Sequence, residues 1–108
     1  MLPVLDKIIT QKNHKLQDLK MAKQKVCEIA LSAAILEGQV AEQLINQKRF
    51  DDAIINIVSQ ASCYKDAQRL TEARNVLLKA LDLIEDWVMH TSGKEPLKTL
   101  IQSFLNTL

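Results

Sequence analysis

Glycine and proline are scarce in this chain, with only two of each among its 108 residues. Pro3, Gly93 and Pro96 lie near the two ends, so Gly38 is the one strong helix breaker in the middle of the chain. A sheet-rich fold would need many more Gly, Pro and Asn residues in its turns. The sequence therefore predicts an all-α protein with long helices.

An excess of either charge is also absent, because 14 Lys and Arg residues against 13 Asp and Glu residues leave a formal net charge of +1. Such a chain has no overall field that attracts phosphate or anionic lipid, so nucleic acid is not a favoured partner. The apolar fraction of 47% and the charged fraction of 25% are typical of a globular protein. From this length, residues 1–108 are expected to form one helical domain.

Cysteine is represented only by Cys27 and Cys63, which form no CxxC pair and lie within apolar helical patterns. They are interpreted as buried free thiols of a reducing compartment, with a single disulfide as the alternative. The N-terminal residues 1–15 lack a basic start and a long apolar run, so they resemble neither a signal peptide nor a membrane anchor. A cytoplasmic location and no membrane partner are expected.

The first helical pattern covers residues 3–45. Apolar or small residues recur there at intervals of three and four: Leu5, Ile9, Leu16, Leu19, Val26, Ala30, Ala33, Val40 and Leu44. Because so long a helix is unusual, a break is expected near Asn13-His14, with Gly38 as a second site. The segment 26–36 is apolar nearly all round and is expected to be the most buried part of the chain.

Three further helices are predicted after the polar residues 46–49. The second begins near Phe50, the third at Thr71 as N-cap, and the last at Pro96 after a glycine C-cap at Ser92-Gly93. The inward faces of the second and third helices are Phe50, Ala53, Ile54, Ile57, Val58, Ala61 and Tyr64, then Ala73, Leu77, Ala80, Leu81, Ile84 and Val88. The last helix presents Leu97, Leu100, Ile101, Phe104, Leu105 and Leu108. The chain is thus expected to form a bundle or stack of about four to five helices.

Two predicted turns share one order of residue types: RFDDA at residues 49–53 and RLTEA at residues 69–73. With them, Ala61, Tyr64, Leu70, Ala73, Leu77 and Ala80 resemble the small and large residues of a tetratricopeptide repeat, a helix–turn–helix unit of about 34 residues. A second copy is similar at Ala41, Leu44, Phe50, Ala53 and Ile57, with Gln60 where the pattern prefers alanine. The resemblance covers about residues 37–84.

The period of the two turns departs from that family. They are 20 residues apart, so the helix from Phe50 would have to close one unit and open the next. A stack of tetratricopeptide-like hairpins and a generic antiparallel bundle therefore both stay open. The resemblance implies a concave groove that binds a peptide or helix, in an adaptor or chaperone-like role.

Residues for catalysis or metal binding do not form a recognisable set. His14 and His90 each have one aspartate at helical spacing, whereas a metal site needs three or four ligands. Glu85 and Asp86 are adjacent on a helix and point in different directions. With no phosphate-binding or nucleophile motif, we expect no enzyme activity, no cofactor and no metal.

The candidate partner-binding residues are Trp87, Lys12, Lys20 and Lys23. Trp87 is a potential interface anchor, although a lone Trp on an amphipathic helix more often lies in the core. The lysines belong to a lysine-rich segment, Lys7–Lys25, interpreted mainly as a solvated helix face.

Three functions follow from these features. The leading hypothesis is a non-enzymatic protein–protein interaction module that binds a peptide or helix. The alternative is a homodimer in which the N-terminal and C-terminal helices pair between copies. The third is a nucleic-acid or anionic-surface binder acting through Lys7–Lys25.

Overall fold

The protein is all-α. The computed structural model describes the backbone of residues 2–86 and 94–108, and the side chains from residue 4 onward within those ranges. Four helices follow in order: α1 (Leu2–Asn46), α2 (Phe50–Asp66), α3 (Leu70–Asp86) and α4 (Lys94–Thr107). No strand occurs in either described range. The predicted N-cap at Thr71 is wrong, because α3 begins at Leu70 and Thr71 lies in its first turn. The last helix begins two residues before the predicted Pro96.

The first helix is continuous over 45 residues, and the expected breaks at Asn13-His14 and Gly38 are wrong. Asn and His cost only a few tenths of a kcal/mol in a helix interior, which is too little to interrupt it. Gly38 costs about 1 kcal/mol there, but it lies where α1 packs closely on α2, against the side chain of Gln60. Tertiary packing therefore outweighs the local preference.

The core lies between α2, α3 and the second half of α1. Its fully buried side chains alternate between alanines and larger aliphatic residues, which lets neighbouring helices approach closely. They include Ala34, Ala41, Ala53, Ile54, Ile57, Ala61, Ala73, Leu77, Ala80, Ile84 and Ile101. The inward faces predicted for α2 and α3 are confirmed, with Phe50, Val58, Tyr64 and Leu81 half-buried at the edge of this core. Val88 and the predicted C-cap at Gly93 lie outside the described residues.

The turns before α2 and α3 have the same backbone geometry. In each, the residue before the arginine has a left-handed backbone, with φ of 61° at Lys48 and 60° at Gln68. The hydrogen bonds are Arg49 N–H to Leu44 O, Lys48 N–H to Ile45 O, Arg69 N–H to Tyr64 O and Gln68 N–H to Lys65 O, at 2.8 to 2.9 Å. This pattern is the Schellman motif, which satisfies carbonyl groups at a helix end.

The same arginine positions also make equivalent ion pairs. Arg49 contacts Asp52 at 2.7 Å, and Arg69 contacts Glu72 at 3.4 Å. Both pairs are exposed, so each contributes at most about 1 kcal/mol. The helix α2 spans the whole interval between the two turns, and it is shared by the α1–α2 and α2–α3 hairpins.

The last helix packs mainly on α3 and touches α2. Ile101 is buried, and Leu97, Phe104, Leu105 and Leu108 are half-buried, whereas Leu100 is exposed. Two polar contacts connect α4 to the other helices. Lys98 Nζ lies 3.1 Å from Glu85 Oε1 on α3, and Lys65 Nζ of α2 lies 5.7 Å from the centre of the Phe104 ring.

The segment 26–36 is not the most buried part of the chain, and that expectation is wrong. Ala34 is buried, but Val26, Ile29, Ile35 and Leu36 are 50 to 61% exposed. A helix that packs on one neighbour buries only one face, and among the described helices only α2 packs on α1. Among the described residues, no helix combines the length and apolar character needed to cross a lipid bilayer.

Candidate protein-binding groove

A groove lies over α2, between the second half of α1 and the second half of α3. Both helices pack against α2, and their described residues do not pack on each other, so α2 forms the floor of an open space of about 590 Å³. Its apolar lining is contributed by all three helices: Ala41 and Ile45 from α1, Ile57 from α2, and Val76 and Leu83 from α3. An open groove with this apolar lining is suited to the apolar face of a helix or an extended peptide.

Small residues of α1 open this space. Gly38 and Ala41 line it together with Ile57 and Gln60 of α2, and the side chain of Gln60 lies directly against Gly38. A larger side chain at either α1 position would reduce the volume of the groove. The sequence thus produces the groove by placing its small residues on the side of α1 that packs on α2.

The rim of the groove is acidic. Glu42 on α1 and Asp82 and Asp86 on α3 line it, against a single cation, Lys79. All four side chains are exposed, and the three carboxylates belong to no ion pair among the described residues. A partner with cations beside its apolar face would find complementary charges here.

We call the first part of α1, residues 4–26, the arm; its last turn, with Lys23 and Val26, lies beside Asp66 and Gln68 at the end of α2. Every side chain of the arm is exposed. Its large apolar side chains are 45 to 65% exposed: Val4, Leu5, Ile8, Ile9, Leu16, Leu19, Met21 and Val26. The arm accounts for the elongated dimensions of the protein, 75 × 26 × 18 Å.

The predicted site residues do not lie in the groove. Lys12, Lys20 and Lys23 are exposed on the arm, and Trp87 lies outside the described residues. Lys12 and Lys23 are eleven residues apart, about three helical turns, so they share one face of α1. That face is also the one that carries the apolar residues at positions 5, 9, 16, 19 and 26.

Sequence reasoning missed the groove residues because it followed the core side of α3. That side carries Ala73, Leu77, Ala80 and Ile84. The groove side is a second pattern on the same helix, formed by Val76, Lys79, Leu83 and Asp86 at helical spacing. Val76 and Leu83 widen the apolar side of α3, but residue spacing alone does not indicate which helix they face.

The cysteines are free and half-buried, not fully buried as expected. Burial raises the pKa of the Cys63 thiol, and the nearby carboxylates of Glu37 and Asp66 raise it further. Cys27 Sγ lies 3.8 Å from the carbonyl oxygen of Asp66. A thiol with a raised pKa is a poor nucleophile at neutral pH.

The described histidine and carboxylates do not form a metal site. His14 is exposed on the arm. No group of three or more His, Cys, Asp or Glu side chains with metal-binding geometry occurs in residues 4–86 and 94–108. His90 lies outside those residues.

A search of protein-family models, curated proteins and solved structures found no significant match to this chain.

Proposed function

We propose that this chain is a non-enzymatic protein–protein interaction module that holds a helix in the groove over α2. The observation that carries the proposal is the combination of an apolar floor from three helices with an acidic rim. Apolar contacts supply most of the affinity for a docked helix, and the rim charges select its sequence.

The repeated turns support this function. Two Schellman turns 20 residues apart place three helices side by side, with α2 shared by both hairpins. In the tetratricopeptide-like interpretation, such neighbouring hairpins form a concave surface that receives a peptide or helix. The shorter period makes the groove a three-helix surface, not a series of regular repeats.

The chemistry of the expected partner follows from the rim. Glu42, Asp82 and Asp86 outnumber Lys79, so the partner helix should carry lysine or arginine next to its apolar face. An acidic helix would meet three unpaired carboxylates and should be rejected.

A peptide titration tests the proposal. A fluorescent amphipathic helical peptide with an apolar face and lysines is titrated with the protein, followed by its anisotropy. The matched peptide has glutamate at every lysine position. We expect the basic peptide to bind at least about tenfold more tightly than the acidic one.

Charge reversal locates the binding site. The variant Asp82→Lys/Asp86→Lys should weaken binding of the basic peptide by about tenfold. The control Asp51→Lys/Glu95→Lys makes the same change in net charge at exposed positions that neither line the groove nor form an ion pair among the described residues, and it should bind like the wild type. Equal affinity for both peptides, or unchanged affinity in the groove variant, contradicts the proposal.

A further inference from the structure

The charges of the chain are divided between the arm and the rest of the protein. The arm contains six lysines and two aspartates, a net charge of +4. Residues 27–108 then hold eight Lys and Arg and eleven Asp and Glu, a net charge of −3. The near-neutral total therefore conceals two parts of opposite sign, a pattern that favours association between them.

The arm fits the partner chemistry of the groove. Its apolar positions include Leu16 and Leu19, and Lys12 and Lys23 lie on the same side of the helix. The groove has the complementary arrangement, an apolar floor with carboxylates such as Asp82 and Asp86 at its rim. In a lipid surface, by contrast, lysines in the middle of the apolar side would oppose insertion.

An arm cannot reach the groove of its own chain. The arm and one wall of the groove belong to the same continuous helix, α1, whose first half is the arm and whose second half borders the groove. A second molecule is needed to bring the two together. The arm is about 34 Å long, and the stretch of α1 that lines the groove, residues 38–46, is about 14 Å long, so an arm is long enough to span the groove.

We infer that the arm of one copy occupies the acidic groove of a second copy, so that two chains form a reciprocal dimer. The inference rests on the proposed function of the groove and names its partner. When two α1 helices run antiparallel, each arm lies beside the other chain's groove. Such a pairing is closed by a two-fold axis and does not continue into a filament.

The exposed apolar surface of the arm supports this arrangement. Six large apolar side chains of the arm lie on one side of the helix and are exposed: Val4, Leu5, Ile8, Ile9, Leu16 and Leu19. A contiguous set of this size exceeds the scattered exposed residues of ordinary surfaces and marks an interaction site. Both its apolar character and its lysines are matched by the groove.

Sedimentation velocity of the full chain tests the inference. From about 1 to about 100 µM, the wild type should shift from monomer to dimer, and added salt should move the transition to higher concentration. Two variants test the two surfaces independently: Lys12→Glu/Lys23→Glu reverses the charge of these arm positions, and Asp82→Lys/Asp86→Lys reverses the charge of these rim positions. Each should raise the dimer dissociation constant by about tenfold or more.

Mixing the two variants gives the decisive result. In a mixed dimer, the acidic arm of one variant meets the basic rim of the other, and the basic arm of the second meets the acidic rim of the first. A one-to-one mixture should therefore form dimers at the same concentrations as the wild type. Far-UV circular dichroism confirms that each variant is folded. A mixture that stays monomeric, or either variant that dimerises like the wild type, overturns the inference.

Failure of the inference and failure of the groove function are distinguishable. The peptide titration is repeated with the Lys12→Glu/Lys23→Glu variant, whose own arm does not compete for the groove. Basic-peptide binding together with a monomeric wild type overturns only the reciprocal dimer. If the wild type stays monomeric but co-sediments with vesicles of phosphatidylserine and phosphatidylcholine, the reciprocal dimer is wrong and the arm binds an anionic membrane surface instead.

Discussion

The side-chain amide of Asn56 on α2 donates hydrogen bonds to both the carbonyl oxygen and the carboxylate of Glu37 on α1, at 2.9 and 2.5 Å. Both residues are half-buried. Apolar packing between two helices allows sliding, whereas a directional bond to a fixed carbonyl does not. This contact therefore fixes the register of α1 on α2, and with it the position of the groove.

Loss of this contact should destabilise the fold. We expect Asn56→Ala to lower the free energy of unfolding by about 1 to 2 kcal/mol, because a hydrogen bond to a charged acceptor contributes about that much when partly buried. Urea denaturation followed by circular dichroism measures the change. Ser59→Ala, at an exposed position of the same helix, serves as the control. Equal stabilities of the two variants would show that Asn56 does not hold the register.

Glycine at the left-handed turn positions should stabilise the protein. Lys48 and Gln68 have positive φ, which costs an L-residue with a side chain about 1 kcal/mol or more, whereas glycine adopts this backbone without penalty. Lys48→Gly and Gln68→Gly should each add about 0.5 to 1 kcal/mol to the free energy of unfolding. Lys48→Ala retains the strain and should give no such gain. A loss of stability in both glycine variants would contradict the turn geometry.

Gly38 offers a test of what limits the approach of α1 to α2. A Cβ at this position would lie 2.5 Å from Nε2 of Gln60, the flexible end of that side chain. In a Gln60→Ala background, Gly38→Ala should therefore stabilise the protein by up to about 1 kcal/mol through its better helix propensity. Thermal unfolding of the single and double variants measures this gain. A loss in the double variant would mean that backbone, not the Gln60 side chain, fills the space.

The raised pKa of Cys63 predicts slow alkylation. Burial keeps the thiol protonated above the pH at which an exposed thiol ionises, and the carboxylates of Glu37 and Asp66 act in the same direction. In a Cys27→Ser variant, the rate of reaction with iodoacetamide should therefore rise at higher pH in the folded protein than in urea. Coincident pH profiles for the two states would contradict this.

The same shift links stability to pH. Because the pKa of Cys63 is higher in the folded state, its contribution to stability is complete below the pKa of the unfolded chain and is lost as the pH rises through the folded value. Stability should thus decline slightly in alkaline solution. Cys63→Ser should remove that part of the decline, which denaturation curves across the alkaline range can measure.

The sequence by itself determined the helical class and the core sides of α2, α3 and α4. Because glycine and proline are scarce, the sequence favours helices over a sheet-rich fold. In each of these helices the apolar residues recur at the spacing that places them on one face, which includes Ile54 in α2, Leu77 in α3 and Ile101 in α4. It also indicated the two turns, since each has an arginine followed by residues suited to a helix start. These features are local, so spacing and residue type are sufficient to find them.

Only the tertiary structure decided which apolar faces are covered. Val26 and Leu36 belong to an apolar segment like any core helix, yet they are exposed because α2 packs on one side of α1. The groove formed by Ile45, Leu83 and Asp86 likewise depends on α1 and α3 standing apart across α2. Periodicity specifies a face of each helix, but burial depends on which other helix lies against it, and that is a property of packing between distant parts of the chain.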